Sequence, residues 1–171
     1  MDSPPNLGFL TVQQESTGWI GALLVTNHWG RPYEFHITSP VQPTRIQQIL
    51  YGPTWKTYIC AEVLSKVLLS KASLPLDFVV TDTPEIVISA ALPVPAVLLE
   101  TNPQNMSATA GITLITNESW QLLLPSSQAG HEQRLRDLLA KLTGLDFAEP
   151  FDRLREAIRE SRRLGVLNRA A

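Results

Sequence analysis

The feature that most constrains the fold is a nearly unbroken apolar run at residues 19–26, which lies between two turn sequences. Residues 15–18 and 27–30 supply those turns, because Asn and Gly accept the positive φ angles that tight turns need. Such a run is typical of a central strand that is covered on both faces. With a weaker strand at residues 8–14, it predicts the start of an antiparallel meander.

A third strand follows and shows the cleanest period-two pattern in the chain. Tyr33, Phe35 and Ile37 alternate with the polar residues Glu34 and His36. Successive side chains of a strand point to opposite faces, so the first three are expected to face the core. Glu34 and His36 are then expected to face solvent or a pocket.

The segment at residues 44–70 has helical periodicity instead. Thr44 is placed to cap its start, and proline at Gly52-Pro53 interrupts the pattern because it lacks a backbone donor. The sequence therefore predicts one kinked helix that covers the sheet, or two helices in succession. The apolar residues that share the first helical face are Ile46, Ile49 and Leu50.

Short strands and helices alternate along the rest of the chain. We predict strands at residues 76–80 and 96–100, and a closing hairpin formed by residues 112–116 and 120–124. Residues 84–90 form a short helix candidate, with Pro84 at its first position, although its isoleucines and valines leave a strand open.

The last third of the chain predicts two helices. The first has leucines at helical spacing and ends near Gly144. The second carries the narrow apolar stripe Phe151, Leu154 and Ile158, which we expect to dock on the domain or on another protein. We accordingly divide the chain into an α+β core domain at residues 1–125 and a C-terminal helical extension at residues 126–171.

The fold class that these elements predict is α+β. An antiparallel sheet is seeded by the N-terminal three-stranded meander and packed by the kinked helix at residues 44–70. Two C-terminal helices complete the expected architecture.

Composition excludes several classes of protein. Apolar residues make up 44% of the 171 residues, which excludes wholesale disorder, and a net charge of −2 gives no general attraction to nucleic acid or anionic membrane. The longest apolar stretch is too short for a membrane span, which takes about 20 residues. The N-terminus has no basic region before an apolar core, so we predict a cytoplasmic protein.

Two pairs of polar residues are weak pocket candidates. Glu34 and His36 share a strand face, and a His–carboxylate pair can act as a general base. Asp82 and Glu85 follow a buried strand, where parallel α/β folds bind ligands, although helix N-termini recruit the same residues for capping. Phosphate-binding glycine motifs and compact metal-ligand spacings are missing from the sequence. We therefore predict no cofactor and no metal ion.

Two groups of residues are candidates for protein interaction. Trp29 and Arg31 lie in a turn, where such residues are typical of interface anchors, although Trp29 could equally fold back over its own sheet. The second group is the stripe Phe151, Leu154 and Ile158. Charged residues make up only 18% of the chain, below the usual quarter, which favours self-association or a protein partner.

Cysteine and arginine residues are given structural interpretations. Cys60 is the single cysteine and lies within an apolar helical stripe, as a buried small hydrophobe does. The arginines of the last helix alternate with acidic residues, which favours a solvated helix over a nucleic-acid footprint. Those arginines are Arg153, Arg155, Arg159, Arg162 and Arg163, and Arg169 follows the helix.

The leading hypothesis for function is a non-catalytic interaction protein, an adaptor or accessory subunit of a cytoplasmic assembly. The alternative is a small ligand-binding domain or hydrolase that uses the Glu34/His36 face or the Asp82/Glu85 turn. A third hypothesis is weak nucleic-acid binding through the C-terminal arginines.

Overall fold

The computed structural model describes residues 3–89, 92–101, 112–116 and 119–165. It is a mixed α+β fold built on a seven-stranded sheet with the order β3-β2-β1-β4-β5-β7-β6. The strands are β1 (Leu7–Glu15), β2 (Gly18–Thr26), β3 (Pro32–Ile37), β4 (Phe78–Thr81), β5 (Ala96–Glu100), β6 (Ile112–Thr116) and β7 (Gln121–Pro125).

The N-terminal meander is confirmed. Strand β2 pairs antiparallel with both β1 and β3, and all nine of its residues are buried, as its unbroken apolar run indicates. Gly18 opens β2 with φ +129°, and a Cβ there would lie 2.7 Å from the Val41 carbonyl oxygen. Trp19 and Val41 form a bridge beside it, so the turn needs glycine for both conformation and space.

The expectation of an antiparallel sheet is confirmed only in part. Strand β4 pairs parallel with β1 on one side and with β5 on the other. Parallel neighbours need a crossover, and helical segments supply one before β4 and another before β5. The closing hairpin is confirmed, since β6 pairs antiparallel with β7, and β7 joins the sheet beside β5.

The kinked helix is also confirmed, as a chain of helical pieces. Gly52–Thr54 forms the 3₁₀ turn that separates its first piece from the rest, and Tyr58–Ser65 is π-helical. The Ser65 hydroxyl donates to the Cys60 carbonyl at 2.5 Å within this wider helix. The α-helices are α1 (Arg45–Tyr51), α2 (Trp55–Thr57), α3 (Lys66–Lys71), α4 (Pro84–Ile88), α5 (Glu132–Ala140) and α6 (Glu149–Arg163).

Helices cover both faces of the sheet. One apolar cluster joins the strands to the π-helical segment, α3 and α4, and includes Leu10, Leu23, Val79, Ile59, Leu64, Leu68 and Ile86. The other joins the strands to α5 and α6, and includes Phe9, Leu24, Phe78, Leu135, Phe151, Leu154 and Ile158. Within the described residues, no helix is both long and apolar enough to cross a membrane.

Thr83 stands at the N-cap position of α4, but its side chain makes no capping hydrogen bond. Its hydroxyl instead accepts the backbone N–H of Val12 at 3.2 Å. Val12 belongs to β1, so this bond continues the association of β1 with the β4 end of the chain beyond their last paired residues. The loop that carries Asp82 is thereby fixed to the sheet.

Candidate functional site

Helix α1 exposes an apolar face on the surface of the molecule. Ile46, Ile49 and Leu50 are 69%, 63% and 79% exposed, and their i, i+3, i+4 spacing places them on one side of the helix. Single exposed apolar residues are ordinary, but a group of large neighbouring ones is typical of an interaction site. These three residues are called the α1 face below.

A complete capping box specifies where α1 begins. The Thr44 hydroxyl accepts the Gln47 N–H at 3.1 Å, and the Gln47 side chain accepts the Thr44 N–H at 3.0 Å. Two backbone donors at the helix start are thus satisfied reciprocally. Because so short a helix is marginal in water, this local support explains how α1 forms without burying a side chain.

Aromatic side chains attach the C-terminal end of α1 to the next helical piece. The Tyr51 ring stacks on that of Tyr58, with centroids 4.1 Å apart and 18° between the planes, and Trp55 lies 6.1 Å away. Gly52 has φ +51°, a conformation that glycine adopts at little cost. The turn therefore redirects the chain and fixes α1 while its apolar face stays uncovered by the described residues.

Strand β3 is an edge of the sheet and carries aromatic side chains in solvent. Tyr33 and Phe35 are 55% and 41% exposed, and only Ile37 of the alternating set packs against the core. This differs from the expectation that all three face the core. The reason is that α6 makes its sheet contacts with β1 and β2 and leaves the edge strand largely uncovered.

The turn before β3 presents Trp29 to solvent. The Asn27 side chain accepts the N–H groups of Trp29 and Arg31 at 2.9 and 3.0 Å, and Arg153 donates to the Gly30 carbonyl at 3.0 Å. These bonds fix the turn to α6. Trp29 is 70% exposed, so its ring does not fold back over the sheet.

Glu34 and His36 lie together on the opposite face of β3 from Phe35. The His36 Nε2 atom is 2.7 Å from Glu34 Oε2, and the carboxylate also accepts the N–H groups of Ser73 and Leu74 at 2.9 and 2.8 Å. The Ser73 hydrogen bond, followed by that of His36, lowers the pKa of Glu34 from its ordinary value. Glu34 therefore ties the end of α3 to the sheet.

Asp82 and Glu85 lie near each other in sequence but belong to different ion pairs. Asp82 is 2.7 Å from Arg155 of α6, and Glu85 is 3.6 Å from Lys56 of α2. The structure thus uses the first acid to hold α6 and the second to hold α2. Neither carboxylate is left as an unpaired group facing a substrate.

A cavity of about 540 Å³ lies beside Asp82 at the carboxyl ends of β4 and β5. This is the position at which α/β folds bind ligands. Its arginine, Arg155, contacts both Asp82 and Asp152, at 2.7 and 3.0 Å. The guanidinium is therefore already neutralised by two carboxylates, which weakens its attraction for an anionic ligand.

The α6 stripe is buried in the molecule. Phe151, Leu154 and Ile158 are each about 1% exposed, and the Phe151 ring meets that of Phe9 edge-on at 5.8 Å. The Phe147 ring lies 6.3 Å from Phe9 and extends this aromatic group. The stripe docks on its own sheet, so these residues do not offer a free surface to a partner.

The arginines of α6 are neutralised by carboxylates. Each of the five within the helix forms an ion pair, and Arg169 lies outside the described residues. The pairs are Arg153 with Glu149, Arg155 with Asp82 and Asp152, Arg159 with Glu156, Arg162 with Glu15, and Arg163 with Glu160. A nucleic-acid footprint needs a stripe of one sign, which this mixed pattern does not provide.

Cys60 is buried, and its surroundings disfavour a reactive thiolate. Burial, together with the nearby Glu85 carboxylate, raises the pKa of the thiol to about 12. In the part of the chain that the structure describes, no three His, Cys, Asp or Glu side chains group as metal ligands. The described residues therefore show no arrangement typical of thiol or metal chemistry.

Comparison with family models and with curated proteins gives no indication of function. No protein-family model matches the chain, and no curated protein matches it. Sequence reasoning missed the α1 face as a site, although it placed Ile46, Ile49 and Leu50 on one helical face. The sequence feature that could have indicated this face is Gly52-Pro53, because it separates these residues from the part of the helix that covers the sheet.

Proposed function

We propose that the chain is a non-catalytic interaction protein, an adaptor or accessory subunit of a cytoplasmic assembly, which binds a protein partner through the α1 face. The exposure of Ile46, Ile49 and Leu50 on a preformed helix is the observation that carries this proposal.

The energetics of the α1 face favour association. Fully burying a large aliphatic side chain contributes about 1.5–3 kcal/mol of gross free energy. The capping box at Thr44 and the stacked Tyr51 ring already order the helix, so a partner need not offset the entropy of folding it. The gain on burial then has to offset only the cost of association and of fixing the side chains.

The form of the α1 face favours a partner with an apolar groove. Anchors at i, i+3 and i+4 are the pattern with which an amphipathic helix enters such a groove. A membrane surface is less well matched, because interfacial helices carry lysine and arginine along the polar face. In α1, the polar side chains besides Arg45 are the uncharged Gln47, Gln48 and Tyr51.

The alternative functions have less support. Glu34 is bonded to backbone N–H groups, and Asp82 and Glu85 are held in ion pairs, so the residues of the proposed pocket have structural partners. Paired arginines along α6 likewise favour a solvated helix over a nucleic-acid site.

The test begins with the identity of the partner. A photo-crosslinking residue at position 49, introduced into the full chain in its native cells, is expected to yield a discrete adduct with one protein. That protein is then purified and titrated against the wild-type chain, Ile49→Asp and Gln48→Asp. The last variant is a charge control, because it adds the same charge at the half-buried neighbouring position on the polar side of α1.

We expect Ile49→Asp to weaken binding at least tenfold, since it removes one buried aliphatic anchor and adds a charge. Gln48→Asp should stay within about threefold of wild type, and both variants should keep the wild-type melting temperature. Equal affinity for all three proteins would place the interface elsewhere. Binding of the chain to anionic vesicles, lost in Ile49→Asp, would assign the α1 face to membranes instead.

A further inference from the structure

Strand β3 is the end strand of the sheet, and none of the described strands pairs with its outer edge. The Thr38 N–H donates to the Gly21 carbonyl at 2.9 Å, and the antiparallel register places His36 opposite Leu23. Hydrogen-bonded and non-bonded pairs alternate along such a ladder, so His36 and Glu34 bond to β2. The N–H and C=O groups of Phe35 and Ile37 therefore point away from the sheet.

We propose that two copies of this chain associate by antiparallel pairing of their β3 strands, with the two-fold axis at Phe35. Phe35 of each copy then lies opposite Phe35 of the other, and its outward N–H and C=O groups bond across the axis. The two seven-stranded sheets become one continuous sheet through the dimer.

The carboxylates disfavour one of the neighbouring registers. With the axis at Phe35, Glu34 of each copy lies opposite His36 of the other. Moving the axis by one residue keeps the outward groups in phase but places Glu34 opposite Glu34, or His36 opposite His36. Two carboxylates directly opposite each other destabilise a ladder, which disfavours the axis at Glu34.

Apolar side chains favour the same register. On the face that α6 leaves uncovered, the two Phe35 rings become direct neighbours, and Tyr33 of each copy lies opposite Ile37 of the other. Both aromatic residues are exposed in the single chain, and cross-strand aromatic pairs stabilise sheets. Because this register places the exposed Phe35 ring on the axis and keeps the two Glu34 carboxylates apart, a second copy fits this edge.

The paired segment is short, so we expect a weak dimer. The β2–β3 register shifts at Val25 and Thr26, so that Tyr33 is the extra residue of a bulge next to Pro32. Bulges end regular pairing at sheet edges. Regular cross-strand bonding therefore centres on residues 34–36, with Tyr33 and Ile37 at its ends, and the dimer should dissociate on dilution.

Register-specific cross-linking of the full chain tests the proposal. In Phe35→Cys, the two new thiols lie on the axis with Cα atoms about 5.5 Å apart, within the range of a disulfide. In the control Tyr33→Cys, the register separates the two thiols by about four residues, or roughly 13 Å. Wild type controls for Cys60, which is buried.

Under a mild oxidant we expect Phe35→Cys to form a covalent dimer at least ten times faster than Tyr33→Cys, and wild type to form none. Similar rates for the two variants, or no dimer from either, would overturn the proposed pairing. Sedimentation provides a second measurement, in which wild type is expected to be a dimer that dissociates on dilution.

Phe35→Pro should be monomeric at the same concentrations, because proline removes an outward N–H that β2 does not use. Ile49→Asp should dimerise as wild type does. A wild type that stays monomeric when concentrated, or a dimer lost in Ile49→Asp and retained in Phe35→Pro, would contradict the β3 interface. These outcomes are separate from the binding test of the α1 face, so either proposal can fail alone.

Discussion

Helices α1 and α6 carry similar apolar patterns, but the pattern of α6 is buried and that of α1 is exposed. In α6, Phe151 and Leu154 are spaced by three residues and are buried against the sheet. In α1, Ile46 and Ile49 have the same spacing and are exposed. Sequence reasoning expected the α6 stripe to dock on the domain or on another protein and the helical region at residues 44–70 to cover the sheet, so it did not anticipate that the apolar face of α1 would stay exposed.

The difference teaches that spacing identifies an apolar face but not what covers it. The sheet face on the side of the kinked helix is covered by the π-helical segment and α3, through residues such as Ile59 and Leu64. The opposite face is covered by α5 and α6, and Phe9 provides a ring against which Phe151 packs. The segments that occupy the sheet faces therefore decide which apolar helix face stays exposed.

Removal of the Phe151 ring should have the largest effect. Phe151→Ala deletes a fully buried ring from the aromatic group with Phe9, and such truncations cost about 3–5 kcal/mol. We expect urea unfolding to show this loss as a lower midpoint. The matched change on the other helix, Leu50→Ala, should alter the free energy of unfolding by no more than about 0.5 kcal/mol.

Hydrogen exchange tests whether α6 is an integral part of the core. If α6 belongs to the core, Phe151→Ala should speed exchange in β1 and β2 as well as in α6. A variant in which α6 alone exchanges rapidly, with the strands still protected, would show that α6 is a detachable docking helix after all.

Because its own capping box stabilises α1, we expect a change in that box to have a smaller effect on stability, confined to α1. Thr44→Ala removes the hydroxyl half of the capping box, which is worth about 1 kcal/mol in a typical helix. Amide exchange within α1 should accelerate about fivefold, as that free energy implies. Exchange in α6 and the urea midpoint should not change, since α1 buries no side chain. A lower midpoint would mean that α1 supports the core.

The elements of the fold were readable from sequence because their patterns are local. The β2 run and the break at Gly52-Pro53 each predicted what the structure shows, and the alternation in β3 predicted the strand but not that Tyr33 and Phe35 would be exposed. The parallel pairing of β4 was not readable, because a short buried strand has the same composition beside a parallel or an antiparallel neighbour. Strand order and the open edge at β3 depend on contacts between residues that are far apart in the chain.

The candidate sites were likewise predictable from sequence only where they depend on residues that are close together in the chain. Sequence placed Glu34 and His36 on one strand face, and their contact is present. The use of Glu34 could not be foreseen, since its partners Ser73 and Leu74 lie some forty residues further along. The exposure of the α1 face likewise depends on other helices that occupy the sheet, and no pattern within α1 records that.

Glu34 supplies the last and smallest test, because it fixes the α3 end of the kinked helix to β3. The Ser73 N–H and the His36 side chain lower the pKa of Glu34 in the folded chain. A carboxyl whose folded pKa is lowered stabilises the fold above its unfolded pKa, about 4.3, and this contribution is lost as the pH falls through the folded pKa.

The unfolding free energy of wild type should therefore exceed that of Glu34→Gln at pH 6, and the difference should shrink steadily as the pH is lowered below about 4.3. Ser73→Pro, which removes the main donor at a position preceded by the extended residue Ala72, should reduce the same pH dependence. The effect should be small because the site is partly open to solvent. A difference between wild type and Glu34→Gln that stays constant from pH 6 to pH 3 would mean that shape rather than charge holds α3 to β3. In that case the α3 end would be fixed by packing alone, and the contrast with α1 would rest entirely on the buried leucines of α3.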